Sequence, residues 1–164
     1  MRAIVSVTQD WGIGYRGGLA MRNREDMRRF RELTLGGAVI CGARTLEGFP
    51  GGRPLPGRLN VVLSHDESPR IDGAVVAHGV DEALAAVEGI DPGRVWLIGG
   101  GSVYRAMLGL CDEALVTFHH ASPPVDTLFP DLDADPGWGL VEVQDGGVTQ
   151  DGVRYEYRTY RQRG

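Results

Sequence analysis

Short apolar runs alternate with segments of helical periodicity along most of the chain, and its C-terminal part reads as strand alone. Ala3–Val7 is predicted to be a buried strand, Asn23–Leu35 a helix and Ala38–Cys41 a short strand. A helical turn at Thr45–Phe49, a strand at Leu59–Ser64 and a weak strand at Val75–Ala77 follow. Val80–Val87 is predicted as helix, Val95–Ile98 as a strand running into glycines, and Val103–Leu110 as helix. Glu113–His120, Gly139–Val143 and Gly152–Arg161 then read as strands. Strand–helix alternation favours a parallel sheet, and the strand-rich end favours antiparallel strands added at an edge. The fold class is α/β with a mixed sheet.

The helix at Asn23–Leu35 carries the clearest chemical signal. At about 100° per residue from Asp26, Leu33 falls near −20°, Phe30 near 40°, Thr34 near 80° and Met27 near 100°. Arg24, Arg28, Arg31 and Glu32 take the opposite side. A carboxylate therefore stands inside the apolar stripe, where leaving it without a partner or ligand is costly. A purely structural reading competes: Asn23 as N-cap, with Asp26 as its capping-box partner three residues later. The two roles are compatible.

Two strand–glycine–helix corners carry the next signal. Val95–Ile98 runs through Gly99, Gly100 and Gly101 into Ser102 and Val103, a layout that lets phosphate oxygens approach backbone N–H groups. The run is neither GxGxxG nor a P-loop, and such corners are as often packing features. Cys41-Gly42-Ala43-Arg44-Thr45 repeats the layout with a cation and a hydroxyl at the helix start. Two such corners in one sheet suit the pyrophosphate of a dinucleotide. Arg53-Pro54-Leu55-Pro56-Gly57-Arg58 sets two arginines around a stiff turn, which alone reads as a surface loop. Asp126–Pro130 alone reads as a turn.

Composition narrows the classes. The 164 residues fit one domain, 1–164, and 42% hydrophobic with 24% charged residues is the balance of an ordinary globular protein. A net charge of −5 disfavours non-specific nucleic-acid binding. The first residues lack a signal-peptide pattern and no run is long enough for a membrane span, so a soluble, cytoplasmic protein is expected. Cys41 and Cys111 are isolated, which suggests neither a disulfide framework nor a metal site. His65, His78, His119 and His120 form no triad or ligand pattern.

Taken together the segments resemble the dihydrofolate reductase family along nearly the whole chain. The matching motifs are Gly12-Ile13-Gly14; Asp26 with Phe30-Arg31 and Thr34; Val39-Ile40-Cys41-Gly42 with Thr45; Arg53–Ser64; Ile98–Tyr104; Thr117; and Asp126-Thr127-Leu128-Phe129-Pro130. Seven motifs in order make the resemblance specific. It implies an eight-stranded mixed sheet flanked by four helices, and NADPH-dependent reduction of 7,8-dihydrofolate by hydride transfer to C6 and protonation at N5. It implies that Asp26 is the catalytic acid, and that Ile4, Val5, Met27, Phe30, Leu55, Arg58, Thr117 and Tyr104 bind substrate. Arg58 would pair with the glutamate α-carboxylate and Thr117 would support Asp26. The cofactor set it implies is Ser6, Ile13, Gly14, Leu19, Gly42, Arg44, Thr45, Leu63, Ser64, Ile98, Gly99, Gly100, Gly101, Ser102, Val103 and Tyr104. The expected ligands are dihydrofolate and antifolates, with no nucleic acid or membrane, and a monomer is expected.

Two positions depart from the family pattern. Ala20-Met21 stands where the family usually has Pro-Trp, and Gly42-Ala43-Arg44-Thr45 has lost one of two adjacent cations. NADPH should therefore be preferred over NADH by a narrower margin. Two other readings stay open from the sequence: the related reductase of riboflavin biosynthesis, and a non-catalytic pterin- or nucleotide-binding module. The placement of Asp26 and Arg58 favours folate chemistry.

Overall fold

A computed structural model describes residues 1–66 and 70–164. Eleven strands and four helices follow one another in it. The strands are β1 (Arg2–Val7), β2 (Gly12–Tyr15), β3 (Gly18–Leu19), β4 (Ala38–Gly42), β5 (Leu59–Leu63), β6 (Ala74–Ala77), β7 (Val95–Gly99), β8 (Glu113–His119), β9 (Thr127–Leu128), β10 (Trp138–Val148) and β11 (Arg154–Gln162). The helices are α1 (Arg24–Thr34), α2 (Ala43–Glu47), α3 (Val80–Ala86) and α4 (Gly101–Met107).

Eight strands form one sheet in the order β10-β11-β8-β1-β7-β4-β5-β6. From β8 to β6 every neighbour is parallel, and β11 and β10 join antiparallel. This is the expected mixed sheet. Its central strands are continuous apolar runs because both faces are covered. One face packs Ala3, Val5, Ile40, Leu97 and Val116 against Val103 and Met107 of α4 and Ala83 of α3. The other packs Ile4, Val39, Trp96 and Leu115 against Phe30 of α1, and Cys41 and Val62 against Leu46 of α2. Leu97 is fully buried, and truncating it to Ala should cost about 2–5 kcal/mol.

Three differences from the sequence expectations have identifiable causes. Residues 12–19, where the hydrophobic pattern predicts no strand, and the segment expected as a turn (126–130) build a second sheet, in the order β3-β2-β9. Its hairpin turns at Arg16 and Gly17, both at positive φ (49° and 80°), the conformation of a two-residue type I′ turn. Arg replaces the usual Asn or Asp there, so the hairpin signal was masked. Asp126 Oδ2 accepts from Arg16 N at 2.8 Å and ties β9 to that turn. Second, β10 continues past Val143 to Val148, crossing Gly146 and Gly147 through a bulge at Asp145/Gly147. Third, α4 starts at Gly101, two residues before Val103, and ends as a 3-10 turn at Leu108–Leu110.

Candidate active site

α1 begins at a well-formed cap. Asn23 is extended (φ −147°, ψ 103°), and its side-chain oxygen accepts from Asp26 N at 3.0 Å. The Asp26 carboxylate does not complete a capping box. It turns to β8, where Thr117 Oγ1 donates to Asp26 Oδ1 at 2.6 Å, a charge-assisted distance. Burial raises the Asp26 pKa above its ordinary value of 3.8, against the opposing effects of the Thr117 bond, His119 and Arg29. A carboxyl that keeps its proton further toward neutral pH suits proton donation.

The wall beside it is apolar. Phe30, Leu55 and Ile98 lie half-buried on the cluster of Ile4, Val39, Trp96 and Leu115. The rest of the α1 stripe is open: Met27 is 52% exposed, and Thr34 is the buried residue of the helix. The stripe is therefore only partly covered: Phe30 and Thr34 turn to the sheet, while Met27 and Leu33 stay open to solvent. Val5, Ile13, Val103 and Tyr104 instead pack into the core on the other side. Tyr104 reaches the cleft floor through its hydroxyl, which donates to the Ile4 carbonyl at 2.7 Å.

Arg58 lies at the C-terminal end of α1. Its Nε donates to the Pro56 carbonyl at 3.0 Å and its Nη1 to Thr34 Oγ1 at 3.2 Å, which aims the guanidinium along the end of α1. Partial burial and the neighbouring charge of Arg31 both pull its pKa down. Two cations held this close favour an anion between them. Leu55, Arg58 and Ser64 also line one open groove of about 880 Å³ with Arg53 and Arg70.

The two glycine corners lie side by side. β4 and β7 are parallel neighbours, with Cys41 paired to Gly99, so Gly42 and Gly99–Gly101 emerge at the same edge. A Cβ on Gly100 would stand 3.1 Å from Thr45 Oγ1, and one on Gly101 would stand 2.9 Å from Thr127 Cγ2. A side chain at Gly101 would clash with Thr127 of β9, and one at Gly100 would crowd Thr45 in the neighbouring corner. The first N–H groups of α4 have no intrahelical partner, and its cap residue Gly100 offers no side-chain bond. Such a cradle at the carboxyl ends of parallel strands fits the pyrophosphate of a dinucleotide. Arg44 is exposed at the start of α2, and Ser64 is buried where β5 ends, with its Oγ accepting from Asp66 N at 3.2 Å. Leu19, in β3, is 62% exposed; Gly14, in β2, pairs with it. Ser6 and Leu63 are half-buried at the ends of β1 and β5.

Some polar residues near Asp26 were not legible as site residues. His119 stands two residues beyond Thr117 on β8, hence on the same face, and is fully buried. That alternation was the available signal. Arg29 stacks over Tyr157 at 4.0 Å, and its buried Nη1 has no hydrogen-bond partner among the described residues. Tyr155 and Tyr157 face His119 and Thr117 only because β11 pairs with β8 in that register.

A buried acid over an apolar wall and a glycine cradle at the carboxyl ends of parallel strands fit an α/β enzyme that binds a dinucleotide. The dihydrofolate reductase family model matches residues 1–162. The chain is 36% identical over 155 residues to dihydrofolate reductase of Mycobacterium leprae, covering 90% of this chain and 89% of that protein. It is 40% identical over 117 residues to dihydrofolate reductase type 3 of Salmonella typhimurium, covering 71% and 69%. A solved Enterococcus faecalis dihydrofolate reductase, complexed with NADP(H) and RAB-propyl, superposes with a TM-score of 0.88 at 30% identity, covering 99% of this chain and 96% of that one. The chain belongs to the dihydrofolate reductase family, the oxidoreductases that reduce dihydrofolate to tetrahydrofolate with NADPH. Among the described residues, no helix is long and apolar enough to cross a membrane.

Proposed function

We propose that this chain reduces 7,8-dihydrofolate as one catalytic domain spanning residues 1–164, acting as a monomer in the cytoplasm, with Asp26 as the acid that serves protonation at N5. The observation that carries the reading is the Asp26 carboxyl itself, raised in pKa by burial and held by Thr117 at 2.6 Å beside an apolar wall. Asp26 bonds the amidine-like edge of the pterin and holds a proton for N5. Phe30, Met27 and Leu55 sandwich the pterin and benzoyl groups and exclude water, while the Ile4 and Val5 backbone and Tyr104 border the ring. Arg58 receives the glutamate α-carboxylate.

NADPH supplies the hydride. Ser6, Ile13, Gly14, Leu19 and Ile98 would border its nicotinamide, and the hairpin from Gly12 to Leu19 would shelter it. Gly42, Thr45 and Gly99–Val103 would hold its pyrophosphate and ribose, and Arg44, Leu63 and Ser64 its adenosine end. Antifolates that present a cationic amidine to Asp26 occupy the same wall. A steady-state assay at the nicotinamide absorbance band, with dihydrofolate and with a flavin precursor as parallel substrates, tests the reading. Turnover with dihydrofolate alone is expected. Turnover with the flavin precursor, or with neither, overturns it.

A further inference from the structure

The cap of α1 is wired to the centre of the sheet through one buried imidazole. His119 is fully buried, with Nδ1 at 3.0 Å from the Val7 carbonyl and Nε2 at 3.1 Å from Asn23 Nδ2. Asn23, also buried, accepts from Asp26 N with its Oδ1 at 3.0 Å. The donor order along this chain follows from the groups at its ends. A carbonyl only accepts, so Nδ1 carries the imidazole proton; the Asp26 N–H only donates, so Asn23 presents Oδ1 to it and Nδ2 to His119. His119 Nε2 must therefore be the bare, accepting nitrogen. One neutral tautomer satisfies every group in the series.

We infer that His119 is a positioning residue for the reduction: as the neutral Nδ1–H imidazole it links the end of β1 to the Asn23 cap and so sets where Asp26 stands in the cleft. The inference rests on Asp26 being the proton donor. β1 ends at Val7, and the β2–β3 hairpin, which would border the nicotinamide, leaves from Thr8, whose N–H donates to the Gly12 carbonyl at 2.9 Å. His119 therefore joins the acid-bearing helix to the root of that hairpin. A second proton on the ring would set Nε2–H against the Asn23 amide. The amide would have to rotate, and Asp26 N–H would then face a donor.

The groups facing the ring come from four elements. They are the Val7 carbonyl from β1, the Asn23 amide at the cap of α1 and Asp26 within it, the Thr117 backbone from β8 with His120 just beyond its end, and the Tyr155 ring from β11 at 5.6 Å. Burial holds the imidazole below its ordinary value of 6.5 against the pull of Val7 and Asp26. Burial thus favours the neutral ring, and the Val7 carbonyl and Asn23 amide select its tautomer.

The test measures hydride transfer in a single turnover, across pH, for His119→Phe, His119→Gln and Asn23→Ser. Asn23→Ser keeps a hydroxyl cap for Asp26 N–H but removes the amide that reaches His119. His119→Phe and Asn23→Ser should each slow hydride transfer roughly 10-fold, within the range that a misplaced group costs. Both should displace the acid titration and leave the KM for NADPH unchanged, and His119→Gln, whose amide can both donate and accept, should restore part of the rate. In the wild type, nitrogen NMR should find Nδ1 protonated and Nε2 bare between pH 6 and 8. Folded His119→Phe and Asn23→Ser enzymes with wild-type rates and pH profiles overturn the inference. So does an Nε2–H or doubly protonated ring at pH 7. If His119→Phe fails to fold, Asn23→Ser and the wild-type spectrum decide. Asp26→Asn separates the two readings: if it retains turnover, the acid assignment itself fails, whereas if it loses turnover while the other variants do not, only the role of His119 fails.

Discussion

The two halves of the cleft are built by opposite means. Around Asp26 the wall is a set of side chains bonded to one another across the sheet: Thr117 to Asp26, Asn23 to His119, Arg58 to Thr34. Around Gly42 and Gly99–Gly101 the wall is backbone from which side chains are excluded, with Thr45 and Thr127 approaching where a Cβ would stand. The contrast matches what each half is proposed to recognise. A pterin edge and a carboxylate demand groups of fixed charge and direction. A pyrophosphate needs several N–H groups and room for its oxygens. Substitutions in the first half should therefore cost chemistry or substrate binding, and those in the second should cost cofactor binding.

Asp26→Asn tests this division most severely. Turnover at pH 7 should fall about 100-fold or more, while the KM for NADPH stays unchanged. A large rise in cofactor KM would show that the halves are not separable. Arg58→Leu comes next. Losing a charge-assisted pair worth about 1.5–3 kcal/mol should raise the KM for dihydrofolate roughly 10- to 150-fold, and leave a pterin without the glutamate tail unaffected.

On the cofactor side, Gly101→Ala puts a Cβ 2.9 Å from Thr127 Cγ2. An increase of about 10-fold in the KM for NADPH is expected, near the low end of the 1–3 kcal/mol that overpacking costs, with kcat little changed. Arg44→Ala should have a smaller effect. Arg44 is exposed, so its pairing with a 2′-phosphate is worth about 0.2–1 kcal/mol and its loss should shrink the NADPH/NADH ratio of kcat/KM only a few-fold. Ala43→Arg should widen that ratio. The KM for NADPH should also climb with ionic strength more steeply than that for NADH. Equal slopes, together with an unchanged ratio in Arg44→Ala, would show that the 2′-phosphate is bound elsewhere or not read.

The smallest effect concerns stability. Burial raises the Asp26 pKa above 3.8, so the folded state holds this proton more tightly than the unfolded chain does. Below 3.8 both states are protonated and folding carries no penalty from this group. As pH rises through that value the unfolded chain ionises first, and the penalty persists above the folded pKa. Asp26→Asn should therefore raise Tm at pH 7, with the gain vanishing below pH 3.8. Thermal unfolding of both proteins across pH measures it, and a variant that melts lower at pH 7 contradicts the assignment of burial as the cause.

The glycine half of the cleft was nearly all legible in the sequence, because strand, glycines and helix start are contiguous at Ile98–Val103 and Gly42–Thr45. The acid was legible too, since helical period alone sets Asp26 among Phe30, Leu33 and Thr34. What period could not say is how much of the stripe the core covers, and the exposure of Met27 beside the half-buried Phe30 settles that. The second sheet escaped notice because Arg16-Gly17 makes its turn without the usual residues and its third strand is only two residues long.

The sequence by itself determined the mixed α/β sheet, the order of its elements, the acid on α1 and the two glycine corners. Each rests on interactions between residues close along the chain, where period and backbone freedom are visible. Only the tertiary structure decided that the corners are neighbours, that Thr117 meets Asp26 across 91 positions and that His119 reaches Asn23 across 96. Those contacts depend on β8 lying beside β1 and on the register of every strand between. A strand's own sequence specifies which face a side chain takes, but the partner it meets there is chosen by how the whole sheet is ordered.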